Sequence, residues 1–458
     1  MKINITIFTL SIFFCFLKSP SLIFLIIALI ALLIYSLYKR NFIALLFMIL
    51  GLLIGQSSFI EAQKNIPSLS KGFINIDLLI SGFSELKPDG NYEIKSFYTT
   101  LIGTNLNVLY RSQTVNIQGY ANTYKLGNRL YSKIYVKNYS IKSEGSIIFK
   151  KICQLRNYIE YRIKEIQNEN VKALLFTLLL GNTNFIGYSS SQAFKMTGIS
   201  HLLSISGLHV SIISISIMSI LGLFAKKKTS FIVSTISIIL YMAIAGFGAP
   251  IMRAGIMLIL YNSLRLAGVR TSLLDSALYS IFIILLFDPF QITQVGLYLS
   301  YSAVLGIYFL SDPIAKKLHF IPSPLSNSIA VTLSANISTL PILLYYFKGI
   351  SLLSPLTNIF IIPLFNLITI LCFFAMIFIL TGIPVSNFLF EPINILWNIT
   401  NGITDYFSMV PFSYLVIKNF SAVHFIILYS ATFFIFFALP WILYKITFYT
   451  LKNHFKIS

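Results

Sequence analysis

From residue 202 to 444 the chain is a succession of apolar segments, near 202–224, 231–248, 251–268, 273–288, 291–310, 326–347, 352–380 and 421–444. Most approach the roughly 20 residues a helix needs to cross a hydrocarbon layer. Three more, near 5–17, 20–37 and 42–60, fill the N-terminus; the first is short for a span and is expected to be tilted or partly inserted. Nothing else constrains the fold as strongly. Lipid offers no partner to a bare N–H or C=O, so segments of this kind become helices. Charged residues make up only 10% of the chain, against about 25% for a soluble domain. The expected fold class is a polytopic α-helical membrane protein, with the lipid bilayer as its solvent. Met1-Lys2 before an apolar run has the look of a signal peptide, but no small-x-small cleavage site follows, so this segment is expected to be retained.

Between about 61 and 150 the character changes. Short alternating runs recur at Phe73-Ile74-Asn75-Ile76-Asp77-Leu78, Thr114-Val115-Asn116-Ile117 and Leu130-Tyr131-Ser132-Lys133-Ile134-Tyr135-Val136. Turn signals separate them at Lys87-Pro88-Asp89-Gly90 and Leu126-Gly127-Asn128. This predicts a small all-β domain, of a length that suits a five- or six-stranded barrel better than a sandwich. Residues 150–170 switch to a helical period. Ile152, Leu155, Ile159, Ile163 and Ile166 form one stripe, with Lys151, Arg156, Glu160, Lys164 and Glu165 elsewhere. The helix either lies on a membrane surface or packs under the β domain. A weaker, Asn-rich amphipathic stretch containing Trp397 covers 385–408. The expected division is 1–60, N-terminal transmembrane helices; 61–150, β domain; 151–172, amphipathic helix; and 173–458, a helical transmembrane domain.

Net charge is +20, from 34 Lys and Arg against 14 Asp and Glu. Lys39-Arg40, Lys226-Lys227-Lys228, Arg265 with Arg270, and Lys316-Lys317 fall on one side if the segments alternate. The positive-inside rule then puts the N-terminus inside and 61–200 outside. Pro355 and Pro363 leave open a re-entrant hairpin that would reverse the C-terminus. The outer domain is basic as well. Arg111 to Lys151 carries eight Lys and Arg against Glu144 alone, interleaved with tyrosines. Basic groups track a phosphate backbone and aromatic rings stack on bases, whereas the plainer reading is that tyrosines are good strand formers. Arg111, Tyr124, Lys125, Arg129, Tyr131, Lys133, Tyr135 and Lys137 are the candidate nucleic-acid contacts.

Polar groups inside lipid must find internal partners. The span that opens at His201 carries Ser204, Ser206, Gly207 and His209 at its start. Ser206 and His209 share a helix face; three readings stay open, namely helix packing, a nucleophile pair without an acidic orienter, and the wall of a water-filled path. Arg253 follows Gly246, Gly248 and Pro250, a sequence expected to break regular backbone. Cys15, Cys153 and Cys372 are far apart, so no disulfide framework or CxxC metal motif is expected. Catalytic residues, metal and cofactors are expected to be none.

Four segments in order then carry a resemblance. They are Ala173 to Asn182 with Phe194 to Val210; Gly246 to Ala254; Asp288-Pro289 with Leu297 to Ile307; and Ser354 to Asn358 with Pro363. Together they resemble the competence domain of ComEC-type DNA uptake proteins. The resemblance implies an inner-membrane channel that passes single-stranded DNA into the cytoplasm, with an external OB-like β domain. It places Ser206, Gly207, His209, Arg253, Ser300 and Asn358 at motif positions, and His201 and Ser204 join them as lining candidates. Many relatives end in a metallo-β-lactamase-like domain; the histidines here form no HxHxDH cluster, so no nuclease activity is expected of this chain. A P-loop GxxxxGK[ST] is also missing, so an external DNA-delivery protein and a cytoplasmic ATPase motor are expected partners, with a homo-oligomer left open. The rival readings are a transporter or flippase for another anionic polymer or lipid, and a degenerate family member without uptake activity.

Overall fold

A computed structural model describes residues 72–433 apart from 81, 97–98, 127–128, 270, 288–290, 293, 382–386 and 418. The expected N-terminal spans with Cys15, Lys39 and Arg40, and also Arg270, Asp288 and Pro289, lie outside the described residues. The chain divides into two compact units, one of residues 1–191, 201–293 and 364–401, the other of 192–200, 294–363 and 402–458.

The first unit begins with six strands: β1 (Gly72–Leu79), β2 (Ser84–Leu86), β3 (Tyr92–Ser96), β4 (Thr99–Gly103), β5 (Thr114–Leu126) and β6 (Arg129–Ser143). Their order across the sheet is β1-β5-β6-β4-β3-β2. The β4–β6 pair is parallel and the others are antiparallel. The two edge strands are therefore consecutive in sequence. The five Cα steps from Leu79 to Ser84 reach at most about 18 Å, so the sheet must curl until its edges approach. Ile80 extends the β1 side, donating to the Gln113 carbonyl at 2.9 Å and accepting from Ser112 at 2.8 Å. Ile74, Leu78, Ile94, Leu101, Val115, Ile117 and Ile134 fill the interior, as period-two alternation requires. The Lys87–Gly90 turn is closed by Gly90 at φ +82° and by the Lys87 amide bonding the Asn91 carbonyl at 2.8 Å.

Helix α1 (Ile147–Lys164) buries Cys153, Arg156, Ile159, Glu160 and Ile163. The predicted stripe is corrected here. Ile152, Leu155 and Ile166 are only half-buried, while Arg156 and Glu160, expected on the polar face, turn inward. Of the two expected placements the helix takes the one beneath the β domain. Cys153 packs with Phe83 and Tyr110, flanked by Phe149, Ile152 and Phe247, and Tyr92 donates to Glu160 at 2.6 Å. Helix α2 (Glu169–Leu180) starts on the Asn168 side chain, which accepts from two backbone amides, and ends at left-handed Gly181. Helix α3 (Tyr188–Met196) leads out of this unit.

The rest of the first unit is helical: α4 (Gly207–Gly222), α5 (Lys227–Ile244), α6 (Ala249–Leu266) and α7 (Leu273–Phe287), with the second part of α10 (Ser354–Thr381) and the first part of α11 (Asn387–Met409). The expected backbone break before Arg253 is present, with Gly246 at φ +85° and Phe247 at φ +53° between α5 and α6. The second unit contains α8 (Val295–Lys317) and α9 (Ser323–Phe347), the remaining parts of α10 and α11, and α12 (Ala422–Phe433). A short antiparallel ribbon joins β7 (Gly349–Ser351) to β8 (Tyr414–Val416). In α8, Gly306 lies so close to α9 that an added Cβ would collide with Ser334 and Ser338, and Ser302 donates to the Ser338 carbonyl at 2.6 Å.

Among the described residues, α5, α8, α9 and α10 are long and apolar enough to cross a membrane, and α4 and α7 are shorter apolar helices. The chain is a multi-pass membrane protein, mostly helical, with a small sheet ahead of the helices. The re-entrant hairpin at Pro355 and Pro363 is not formed, because α10 runs unbroken from Ser354 to Thr381. Pro355 sits in its first turn, where the missing N–H has no partner to lose.

Candidate functional site

Helix α4 starts five residues later than its apolar run, and the start is built from the Ser206–His209 pair. The Ser206 amide donates to His209 Nδ1 at 2.9 Å, and its hydroxyl lies 3.1 Å from the same nitrogen. The pair forms a capping box in which the imidazole takes the place usually held by Glu or Gln. A nitrogen that accepts from an amide carries no proton, so the proton of a neutral ring sits on Nε2. His209 is fully buried, its ring lies 5.9 Å from that of Phe365, and Nε2 has no hydrogen-bond partner among the described residues. Both groups of the would-be nucleophile pair are thus engaged in holding the helix start.

The first unit holds other polar groups. Gly207 lets α4 approach α6, a Cβ there lying 3.5 Å from the Cβ of Ala254. The neighbouring Arg253 is 3% exposed, between the equally buried Ile251 and Gly255, so its side chain lies inside the protein. His201 and Ser204 are exposed, and the Ser204 hydroxyl donates to the His201 carbonyl at 3.2 Å. Sequence reasoning missed a set of carboxamides. Asn170 donates to Asn394 at 3.0 Å and to Asn398 at 3.3 Å. The Oδ1 atoms of Asn366 and Asn401 are buried with no hydrogen-bond partner among the described residues. The signal was available, since Asn394, Asn398 and Asn401 recur at helical spacing along α11.

Ser300 and Asn358 belong to the second unit. Ser300 is half-buried on α8. Asn358 is buried on α10; its amide donates to Thr332 at 3.4 Å while its Oδ1 has no hydrogen-bond partner among the described residues. Nearby, Asn336 donates to Ser354 at 2.6 Å and Thr357 to the Thr197 carbonyl at 3.0 Å. The sequence-selected lining residues therefore fall into two separate groups, His201 to Arg253 in one unit, Ser300 and Asn358 in the other.

A third feature was missed altogether. Arg156 is 7% exposed and donates to the Ile244 carbonyl at the end of α5 and, at 3.5 Å, to the Leu180 carbonyl at the end of α2. Both acceptors sit at the negative ends of helix dipoles. Phe83 of the β domain lies under the guanidinium at 5.3 Å, and left-handed Gly246 leaves room for it, a Cβ there coming within 3.0 Å of Nη1. Burial pushes this guanidinium below its ordinary pKa, against the opposing pull of Glu85 and Glu160.

On the outside of the sheet, Lys133, Tyr135 and Lys137 project from alternate positions of β6 and are exposed. Tyr135 is paired across the ladder with Tyr120 of β5, and Tyr120 with Phe73 of β1. These three rings are 52%, 59% and 57% exposed; Phe73 and Tyr120 meet edge to face at 5.5 Å. A row of exposed rings thus crosses three strands, with lysines beside it. Phe73 was read only as a strand former, although its alternation partner positions were visible. Beyond the row, Asp77 accepts from Asn116 at 2.8 Å and Lys142 at 2.6 Å. Arg111 is turned elsewhere, its guanidinium 5.8 Å from the Phe149 ring on α1. Tyr124, Lys125, Arg129 and Tyr131 lie where β5 and β6 meet, and their side chains lie outside the described set.

Comparison with known proteins identifies a family for the helical part of the chain. A stretch of the chain is 26% identical over 245 residues to ComE operon protein 3 of Bacillus subtilis (strain 168), covering 52% of this chain and 31% of that protein. It is 26% identical over 202 residues to competence protein ComA of Neisseria gonorrhoeae, covering 42% and 28%. It is also 26% identical over 243 residues to the uncharacterized protein YcaI of Escherichia coli (strain K12), covering 50% and 32%. The matches thus span about a third of the length of these relatives. No solved structure matches the chain. The family profile described as Competence protein matches residues 178–441, which is more than half of the chain and includes every candidate lining residue, so the chain belongs to the Competence protein family.

Proposed function

We propose that this protein is a bacterial inner-membrane channel that passes single-stranded DNA into the cytoplasm during natural transformation, with its β domain outside as an OB-like collecting surface. The observation that carries the reading is the exposed Phe73–Tyr120–Tyr135 row with Lys133 and Lys137 beside it. Rings stack on bases of any sequence and cations track the backbone, which suits a protein that takes up DNA of any origin. Taking β1 and β2 as two halves of one bent strand gives a five-stranded closed barrel, in support of the OB-like assignment.

Helix α5 supports this orientation. It begins at Lys227, next to Lys226 and Lys228, and its far carbonyl is held by Arg156 under the β domain. The β domain thus sits at the end of α5 away from the three lysines. With the lysines on the cytoplasmic side, the domain lies outside. No phosphate crosses hydrocarbon bare, and within the first unit His209, Arg253, Asn366 and Asn401 are polar groups of the kind a hydrated path needs. An inside-negative potential opposes each entering phosphate by about 2.3 kcal/mol per 100 mV. The sequence holds no P-loop, so a cytoplasmic ATPase motor pulls the strand and an external protein delivers it. We assign no catalytic role to this chain.

The test is import of fluorescent DNA in a deletion strain carrying the wild-type chain or a variant. With Arg253→Ala, DNA is expected to reach the periplasm and not the cytoplasm. Phe73→Ala/Tyr120→Ala is expected to weaken single-stranded DNA binding by the purified chain, by about 1–3 kcal/mol per ring. Unaltered import in the deletion strain rejects the channel reading, and binding that ignores salt rejects phosphate tracking.

A further inference from the structure

A cleft of about 360 Å³ lies between α4, α5 and the second part of α10. Its walls are apolar apart from Ser216 and Ser237, with Ile217, Leu221, Val233 and Phe373 among them, and its size is that of a small-molecule site. Leu221 is the next-to-last residue of α4. Val233 lies six residues past Lys227, about 9 Å along α5 at 1.5 Å per residue. One end of the cleft therefore opens beside the turn that joins the two helices.

That turn is unusual in charge. Lys226 is the N-cap residue of α5, and Lys227 and Lys228 are its first two residues; all three are exposed. A helix N-terminus is already the positive end of the dipole, and cations there are unfavourable. The first turn holds no acidic residue, and the three lysines form no ion pair among the described residues. The arrangement lacks an anion. Leu223 and Phe224, in the same turn, are 77% and 85% exposed, which is costly in water and suits the boundary between headgroups and acyl chains.

We propose that the cleft seats one acyl chain of an anionic phospholipid whose phosphate rests on Lys226, Lys227 and Lys228. The apolar walls take the chain, and the lysines with the α5 amides take the charge. The cleft shares no lining residue with the groups assigned to the proposed DNA path, and the site makes the anionic lipid a bound component of the helical unit. Charge decides against a neutral lipid as occupant, because that would leave three cations at a helix N-terminus without a counterion.

The full chain, stripped of lipid in detergent, is offered equal amounts of phosphatidylglycerol and phosphatidylcholine with the same acyl chains, and retained lipid is read by native mass spectrometry. One phosphatidylglycerol per chain is expected, favoured at least about tenfold over phosphatidylcholine, since each basic residue near a headgroup contributes about 1 kcal/mol. Lys226→Gln/Lys227→Gln/Lys228→Gln, confined to an exposed turn, is expected to remove that preference. Ser237→Trp, which fills the cleft, is expected to abolish retention of both lipids while the chain still elutes as a single species. Equal retention of the two lipids by the wild type overturns the proposal. So does an unchanged preference in the lysine variant, or no retention by the wild type, the result expected if another segment of the chain or a second copy fills the cleft. Should Ser237→Trp fail to fold, the lysine variant alone decides.

Discussion

At the scale of single residues, Arg156 has the largest structural consequence. It satisfies the terminal carbonyls of two helices from a buried position. Removing it strands acceptors that no water reaches, at about 1–3 kcal/mol each. Arg156→Ala is expected to cost about 2–4 kcal/mol, read as a lowered thermal midpoint of the full chain in detergent. Arg156→Lys is expected to recover only part, because one ammonium cannot reproduce a fork that serves two carbonyls. None of this was legible in the sequence. Helical periodicity assigns a charged residue to the outer face, and the groups that draw Arg156 inward lie 24 and 88 residues away. Ser206 and His209 were legible as a pair sharing a face, because three-residue spacing is a local property. That the pair closes a capping box depended on where the helix begins.

At the scale of elements, the helices were read well and their ends poorly. Apolar runs fix that a helix exists, while caps fix where it starts, and α4 begins at Gly207 because Ser206 and His209 make it begin there. The β7–β8 ribbon was invisible, since three-residue strands show no alternation. The β domain was legible in class and size through alternation, but its strand order was not, because pairing between distant strands leaves no local mark. One element-level tie has a pH signature. Asp77 of β1 is held by Lys142 of β6 and Asn116 of β5. Its carboxyl is pushed below the usual carboxylate range, chiefly by the Lys142 hydrogen bond and then by that of Asn116, against a smaller effect of desolvation. A depressed carboxylate stabilises the fold above its unfolded pKa, and that contribution is lost as pH falls through the folded value. Unfolding of the full chain followed from pH 7 down to acid is expected to separate wild type from Asp77→Asn at neutral pH, with the two converging in acid. A constant gap across that range contradicts the role given to Asp77.

At the scale of the whole molecule, the proposed orientation makes a clean demand. In a chain whose Cys15, Cys153 and Cys372 are replaced by Ala, a cysteine at Lys137 is expected to react with a membrane-impermeant maleimide added to spheroplasts. A cysteine at Lys227 is expected to react only after permeabilisation. The opposite pattern reverses the assignment and with it the place of the β domain.

The grip of Arg156 on the ends of α2 and α5 also bears on force. Asn182, just past the end of α2, donates to the Leu86 carbonyl of β2 at 2.6 Å, and Asn184 does so at 3.3 Å. Through these ties the β domain is bolted to the helices beneath it, not suspended from a linker. Tension on a polymer held by the outer rings would pass through these hydrogen bonds into the ends of two helices. Pulling from the far side would then strain the helical unit itself, and the load that the polymer bears would register where α5 meets α6.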